Sequence, residues 1–105
     1  MIQSKKVLGT LGLAMKAGRV VSGEFMTERA IREGTAKLVI VAEDASDNTK
    51  KKFSDSCRYY RVPYAQFGDK DLLGNALGKQ FRASLAVTDR GFAVSIGKNL
   101  ELEVT

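Results

Sequence analysis

Leu38-Val39-Ile40-Val41-Ala42 is the most constraining stretch of this chain: an unbroken apolar run, rich in β-branched residues, between turn-like flanks. A strand with one wet face alternates apolar and polar residues, so a continuous run reads as a strand covered on both faces. Such a strand lies in the middle of a sheet with helices above and below it. The rest of the chain must then supply those helices.

The hydrophobic spacing does so. Val7, Leu8, Leu11 and Met15 fall on one helical face, with Ser4 as the expected cap and Gly18 suited to the left-handed position past the end. Gly9 and Gly12 inside this helix each cost roughly 1 kcal/mol against alanine, which implies close packing at both. An extended segment around Arg19-Val20-Val21 leads to Ser22-Gly23, which opens a second helix carrying Met26 and Ala30 one turn apart and stopping at Gly34. Asp47 is the expected cap of a third helix with Phe53, Cys57 and Tyr60 on its inner face. Pro63 then forces the chain out of helix before a strand near Tyr64-Ala65-Gln66-Phe67. Asp69 caps a fourth helix with Leu72, Leu73, Ala76 and Leu77 inward and Gly78 at its end. A strand near Leu85-Ala86-Val87, a cap at Asp89 and a short helix with Phe92 and Ile96 complete the series.

Helices alternating with short buried strands imply an α/β protein, a three-layer α-β-α sandwich around a small sheet. At 105 residues the chain is the size of one domain, expected over residues 1–98. Residues 99–105 alternate apolar and polar and read either as a tail or as an added edge strand.

Composition narrows the function. Seventeen Lys and Arg against 12 Asp and Glu leave a formal charge of +5, with pI near 9.5, which favours polyanionic partners. With no histidine and one cysteine, Cys57, the usual general base, the usual metal sites and an intramolecular disulfide are all missing. No phosphate-loop signature and no nucleophile beside a base is visible, so neither catalysis nor a cofactor nor a metal is expected. No apolar run approaches the roughly 20 residues of a membrane span. Met1-Ile2-Gln3-Ser4-Lys5-Lys6 leads into a glycine-interrupted segment without a signal peptide's apolar region, so cytoplasmic residence is the expectation.

Two segments are candidates for binding. Around Ser22-Gly23-Glu24, unpaired N–H groups at a helix start attract phosphate, and glycine allows close approach of a nucleic-acid backbone. On spacing alone, however, Ser22 is an N-cap and Gly23 a turn residue. Glu24 suits the positive helix end, and Glu28 and Arg32 are spaced for an i,i+4 pair on a solvated face. In Gly78-Lys79-Gln80-Phe81-Arg82, cations flank an aromatic: the ring either stacks on an unpaired base or anchors the loop on the core. Exposure of the ring decides between these. Lys50-Lys51-Lys52 reads as a solvated face, Glu43-Asp44 as turn residues, and Cys57 as a buried small hydrophobe.

Ala30-Ile31-Arg32-Glu33-Gly34-Thr35-Ala36-Lys37, running on through Leu38 to Glu43-Asp44-Ala45, resembles the signature of the ribosomal protein L-seven-Ae/L-thirty-e superfamily. Val62-Pro63-Tyr64 and Leu73-Gly74-Asn75-Ala76-Leu77-Gly78 match later segments at the expected separation. Val20-Val21-Ser22-Gly23-Glu24, Tyr59-Tyr60 and Val87-Thr88-Asp89 with Gly91-Phe92-Ala93 are similar to its bacterial YlxQ-like branch. The resemblance spans nearly the whole chain, and several motifs in order are more specific than any one.

It implies an L-thirty-e-like α-β-α sandwich with a mixed sheet that grips kinked, structured RNA, ribosomal RNA included, as a monomer without catalytic activity. In the family, a Gly-x-Asn-Glu-x-x-Lys segment reads the guanines of sheared G·A pairs, and the loop before the last strand covers the bulged nucleotides. Carried over, the RNA-binding residues would be Ser22, Gly23, Glu24, Phe25, Met26, Arg29 and Lys37, with Lys79, Gln80, Phe81 and Arg82 in the cover loop. Arg29 stands at the lysine position and keeps a cation that can bond two acceptors of a guanine edge. Phe25 and Met26 stand where the family has Asn and Glu, so two polar base readers are absent. The rival reading is a protein-binding adaptor on the same fold, for which exposed Phe25 and Met26 would suit.

Overall fold

The computed structural model describes residues 1–104. Five helices alternate with four strands: α1 (Ser4–Lys16), β1 (Val20–Ser22), α2 (Glu24–Glu33), β2 (Leu38–Val41), α3 (Asp47–Tyr60), β3 (Tyr64–Gln66), α4 (Lys70–Ala76), β4 (Ser84–Val87) and α5 (Arg90–Asn99). The sheet order is β1-β4-β2-β3, with β4 antiparallel to both neighbours and β2 parallel to β3. Every residue of β2 and β4 is buried, as the apolar run required. α2 and α3 pack together on one face, and α1, α4 and α5 on the other, which gives the α-β-α sandwich.

The topology fixes direction as well as layers. β1, β2 and β3 each follow a helix and all start at the same end of the sheet, where β4 finishes. The carboxyl ends of α1, α2 and α3 therefore gather at that end. The amino ends of α2, α3 and α4 gather at the other, where β4 starts.

Several local expectations change. Ser4 is the first residue of α1 rather than its cap; Gln3 takes the cap position without a side-chain bond. At Gly12 an added Cβ would lie 3.3 Å from the Ala76 carbonyl oxygen, so α4 does pack closely there, whereas Gly9 faces open space. Ser46, not Asp47, caps α3 by accepting from the Thr49 N–H, while Asp69 and Asp89 cap α4 and α5 as expected. Met26, Tyr60 and Leu72 are exposed, because Thr27 with Ala30 and Ile31, Phe53 with Cys57, and Leu73 with Leu77 take the inner positions. Of the segment 99–105, Asn99 still belongs to α5, residues 100–104 form no strand, with Leu100 buried and the Leu102 N–H donating to the Gly97 carbonyl at 2.8 Å, and Thr105 lies outside the described residues.

Candidate nucleic-acid interface

The Gly23 turn and the loop before β4 lie at the same end of the sheet, since Ser22 pairs with Leu85 and the Gly23 N–H donates to the Ser84 carbonyl at 3.0 Å. Gly23 has φ 92° and ψ 160°, a region essentially reserved for glycine, and nothing lies where its Cβ would be. Backbone conformation, not lack of space, demands glycine here. It also serves as the cap residue of α2, and no side chain caps that helix, so its first-turn N–H groups face outward without side-chain partners.

Ser22 is not an N-cap. Its hydroxyl accepts a 3.0 Å hydrogen bond from Arg82 Nε across 60 residues of sequence, while Arg82 Nη1 donates to the Phe81 carbonyl at 3.0 Å. Arg82 is thus a strut between the turn and the loop. The Arg82 N–H donates to the Lys70 carbonyl at 3.0 Å, which ties the loop to α4 as well. A third restraint is steric: a Cβ on buried Gly74 would sit 2.0 Å from the Gln80 carbonyl oxygen and 2.8 Å from Phe81 Cα. The loop backbone lies directly on α4 at the one residue that leaves room for it.

This bracing holds the Phe81 ring out of the core. Phe81 is 62% exposed, so it does not anchor the loop; the Lys70 ammonium sits 6.0 Å from its ring centroid. Phe25, 68% exposed, stands on the first turn of α2 beside Arg29, Arg32 and Glu33, which line a shallow depression with it. Met26 is exposed alongside. Arg29 is held by Glu33, its Nε 3.1 Å from the carboxylate, so Arg29–Glu33 is the i,i+4 pair of this helix.

Glu24 and Glu28 face α3 instead, both within 2.8 Å of Lys52 Nζ. The anticipated Glu28–Arg32 pair does not form, and Lys52 is a bridge between helices rather than part of a merely solvated face. Hydrogen bonding to Lys52 lowers the Glu28 pKa, and bonding to Glu24 and Glu28 raises that of Lys52. Asp44 accepts from the Lys70 N–H at 3.0 Å and so supports the start of α4.

The structure thus brings Ser22, Gly23, Phe81 and Arg82 together, with Phe25 and Met26 on the adjoining first turn, while Lys79 and Gln80 are exposed in the braced loop. Lys37 does not join them. Its N–H donates to the Val87 carbonyl, at the end of β4 farthest from Ser84. Sequence reasoning missed Gly74 and Lys70 as supports of the loop. Leu73-Gly74-Asn75 stood out as a family segment, but the contact that requires glycine is tertiary and leaves no local signal.

The protein-family model that matches residues 5–96 describes the ribosomal protein L7Ae/L30e/S12e/Gadd45 family. The chain belongs to that family. Among its members, the RNA-binding protein YlxQ of Bacillus subtilis is 52% identical over 83 residues, covering 79% of this chain and 83% of the relative. The RNA-binding protein YlxQ of Enterococcus faecium is 42% identical over 89 residues and 85% of each chain. A solved Bacillus halodurans structure of unknown function superposes with a TM-score of 0.89 at 36% identity, covering 91% of this chain and 97% of that one. The Giardia lamblia 15.5kD RNA binding protein shares the fold, with a TM-score of 0.79 at 20% identity over 93% of this chain and 84% of its own. For this member of the family, the α-β-α architecture and mixed sheet expected from the resemblance are both present.

Proposed function

We propose that this protein is a non-catalytic, cytoplasmic RNA-binding protein that acts as a monomer and holds structured RNA, ribosomal RNA being one candidate, against the Gly23 turn and the braced loop. The observation that carries the reading is the Arg82–Ser22 hydrogen bond. It joins the two segments that family resemblance assigns to RNA, and leaves Phe25 and Phe81 exposed on either side of the junction. Membership of the L7Ae/L30e family, with curated relatives named as RNA-binding proteins, supports the same reading.

The surface differs from a kink-turn reader in a definite way. Phe25 and Met26 offer apolar faces where the family's Asn and Glu offer hydrogen-bonding groups, so stacking on unpaired bases outweighs edge reading at these two positions. We infer a preference for RNA with splayed bases, with weaker discrimination for tandem sheared pairs than a standard family member has. The adaptor reading rests on the same two exposed apolar residues and predicts protein binding that survives high salt.

Titration of a kink-turn RNA and a matched unkinked duplex, at several salt concentrations, tests the proposal. Affinity falling with salt is expected, because phosphate neutralisation releases counterions. Phe81→Ala and Arg29→Ala should each weaken binding by roughly 1–3 kcal/mol, the range for one stacked base or one good edge contact. Phe25→Asn combined with Met26→Glu should increase preference for the kink. No RNA binding at low salt sinks the proposal, and binding indifferent to these substitutions moves the RNA site elsewhere on the fold.

A further inference from the structure

The opposite end of the sheet is the more strongly basic one. The carboxyl ends of α1, α2 and α3 lie there, flanked by Lys16 and Arg19, by Arg32 and Lys37, and by Arg58 and Arg61. A helix carboxyl end carries roughly half a negative charge. Two cations per end outweigh a half charge of opposite sign, so each of these helix ends is left net positive. Arg90 strengthens the point: it is the first residue of α5, where the helix dipole disfavours a cation.

Local acids do not neutralise this end. Glu33 is taken by Arg29, Asp89 accepts from the Phe92 N–H as the α5 cap, and Asp55 is shared by Lys51 and Arg58. Among the described residues, Arg19, Lys37, Arg61 and Arg90 are exposed and in no ion pair. Six of the protein's acids, Glu24, Glu43, Asp44, Asp47, Asp69 and Asp71, lie instead around the helix amino ends at the other side of the sheet. Lys50, Lys51, Lys52, Lys70, Lys79 and Arg82 lie on that side too and offset these six acids, so the excess positive charge is concentrated away from the Gly23 turn.

Strand order arranges the free cations in a row. Arg19 precedes β1, Lys37 precedes β2 and Arg61 lies just before β3, across an order β1-β4-β2-β3 whose three strand spacings span about 14 Å. Lys37 and Arg61 border a cleft of about 250 Å³ between the ends of α2 and α3, with exposed Tyr60 on its wall and Ile31, Val62 and Pro63 beneath. Arg61 occupies this rim with φ 59°, a left-handed helix-end position that glycine fits with less strain. Cations in a row beside an accessible aromatic form the combination that tracks a nucleic-acid backbone while stacking one of its bases.

We propose that this end is a second RNA-contact surface, at which Arg19, Lys37, Arg61 and Arg90 hold the phosphates of a further RNA segment and Tyr60 stacks an unpaired base in the cleft. The inference rests on the RNA-binding reading but places contacts beyond the Gly23 turn and its loop. A molecule with contact surfaces at both ends of one sheet would clamp two segments of a folded RNA.

The test compares the wild type with Arg19→Gln/Lys37→Gln/Arg61→Gln and with a charge-matched control, Lys5→Gln/Lys6→Gln/Lys98→Gln. Affinity for one folded RNA is measured against salt. Each phosphate contact contributes about 0.7–0.9 to the log–log slope, so the first variant should lose about 2 slope units and the control markedly less. Tyrosine emission provides a second readout: there is no tryptophan, and the three tyrosines, Tyr59, Tyr60 and Tyr64, all lie on α3 and β3. RNA should quench that emission in the wild type and less in Tyr60→Phe. Equal slopes for the two triple variants, or an unquenched emission with RNA bound, overturn the second surface alone. An acidic peptide titrated in parallel covers the alternative: if the first triple variant loses the peptide while its RNA binding is unchanged, this end is a protein-docking surface and the proposal is overturned. Failure of the wild type to bind RNA overturns both readings.

Discussion

Replacing Gly74 by alanine should displace the loop from α4, although alanine is the better helix former. In α4 the exchange gains about 1 kcal/mol of helix propensity. Against that, the new Cβ would lie 2.0 Å from the Gln80 carbonyl oxygen, roughly 1.5 Å inside comfortable contact, and the opposing atoms are backbone rather than a flexible side chain. Overpacking of this kind costs about 1–3 kcal/mol. Moving the loop also breaks the Arg82 bonds to Lys70 and Ser22, each of which contributes about 1 kcal/mol. The net loss is about 3 kcal/mol, or roughly 15 °C in Tm for a domain of this size. Gly9→Ala is the internal control: nothing stands within 4 Å of its added Cβ, so the helix gain should survive as a small rise in stability. Urea unfolding of both variants, with titration of RNA, measures the effect. A Gly74→Ala protein as stable as Gly9→Ala, with wild-type RNA affinity, would refute the reasoning that the loop depends on this contact.

Thr27 is fully buried and its hydroxyl has no hydrogen-bond partner, so the nearly isosteric Thr27→Val should raise stability by about 1 kcal/mol in urea unfolding; a loss would mean that the hydroxyl is satisfied in solution. Gly97→Ala should lower stability by about 1–3 kcal/mol, because its Cβ would meet the Leu102 carbonyl at 2.8 Å; protease resistance of residues 100–104 equal to wild type would contradict that. Burial pushes the Cys57 thiol from 9.0 up to about 12, so the folded chain keeps a proton that the unfolded chain releases above pH 9. Stability from this group is complete below about pH 9 and declines as pH rises towards 12, so the wild type should lose about 1.4 kcal/mol relative to Cys57→Ser between pH 8 and 10. A difference independent of pH would show that the thiol ionises freely in the folded state.

Most of the fold was legible because burial and period leave direct marks. Leu38 to Ala42 was the best candidate for an interior strand and Leu38–Val41 forms one, while Gly34, Pro63, Asp69 and Asp89 punctuated the chain where the structure turns or caps. The misses share one cause. Met26, Tyr60 and Leu72 lie at helical spacing beside the buried stripe, and only packing against particular neighbours decides which edge positions of a helix face turn inward: polar Thr27 is buried while Met26 is not, and Leu73 is buried while Leu72 is not. Ser4 and Asp47 were misplaced by one position, since adjacent polar residues cap a helix equally well on composition.

The proposed binding surface was legible in part, and its electrostatics were not. Phe81 was correctly isolated as the residue whose exposure would decide the role of the loop, but Ser22 read as a cap because its true partner, Arg82, is 60 residues away. The charge pattern needed the topology even more. Acids at helix starts and cations at helix ends look like ordinary dipole compensation when each helix is read alone. Once three consecutive helices are each followed by a strand entering from one side, those separate compensations add: acids gather at one end of the sheet and offset the cations there, while the other end is left with the excess of cations. A net charge of +5, read as a property of the whole chain, is thereby converted by strand order into a field with a direction. An approaching polyanion should be oriented by that field before any contact forms, with the Arg19, Lys37 and Arg61 end leading and the Phe25 and Phe81 rings free to meet the segment that follows.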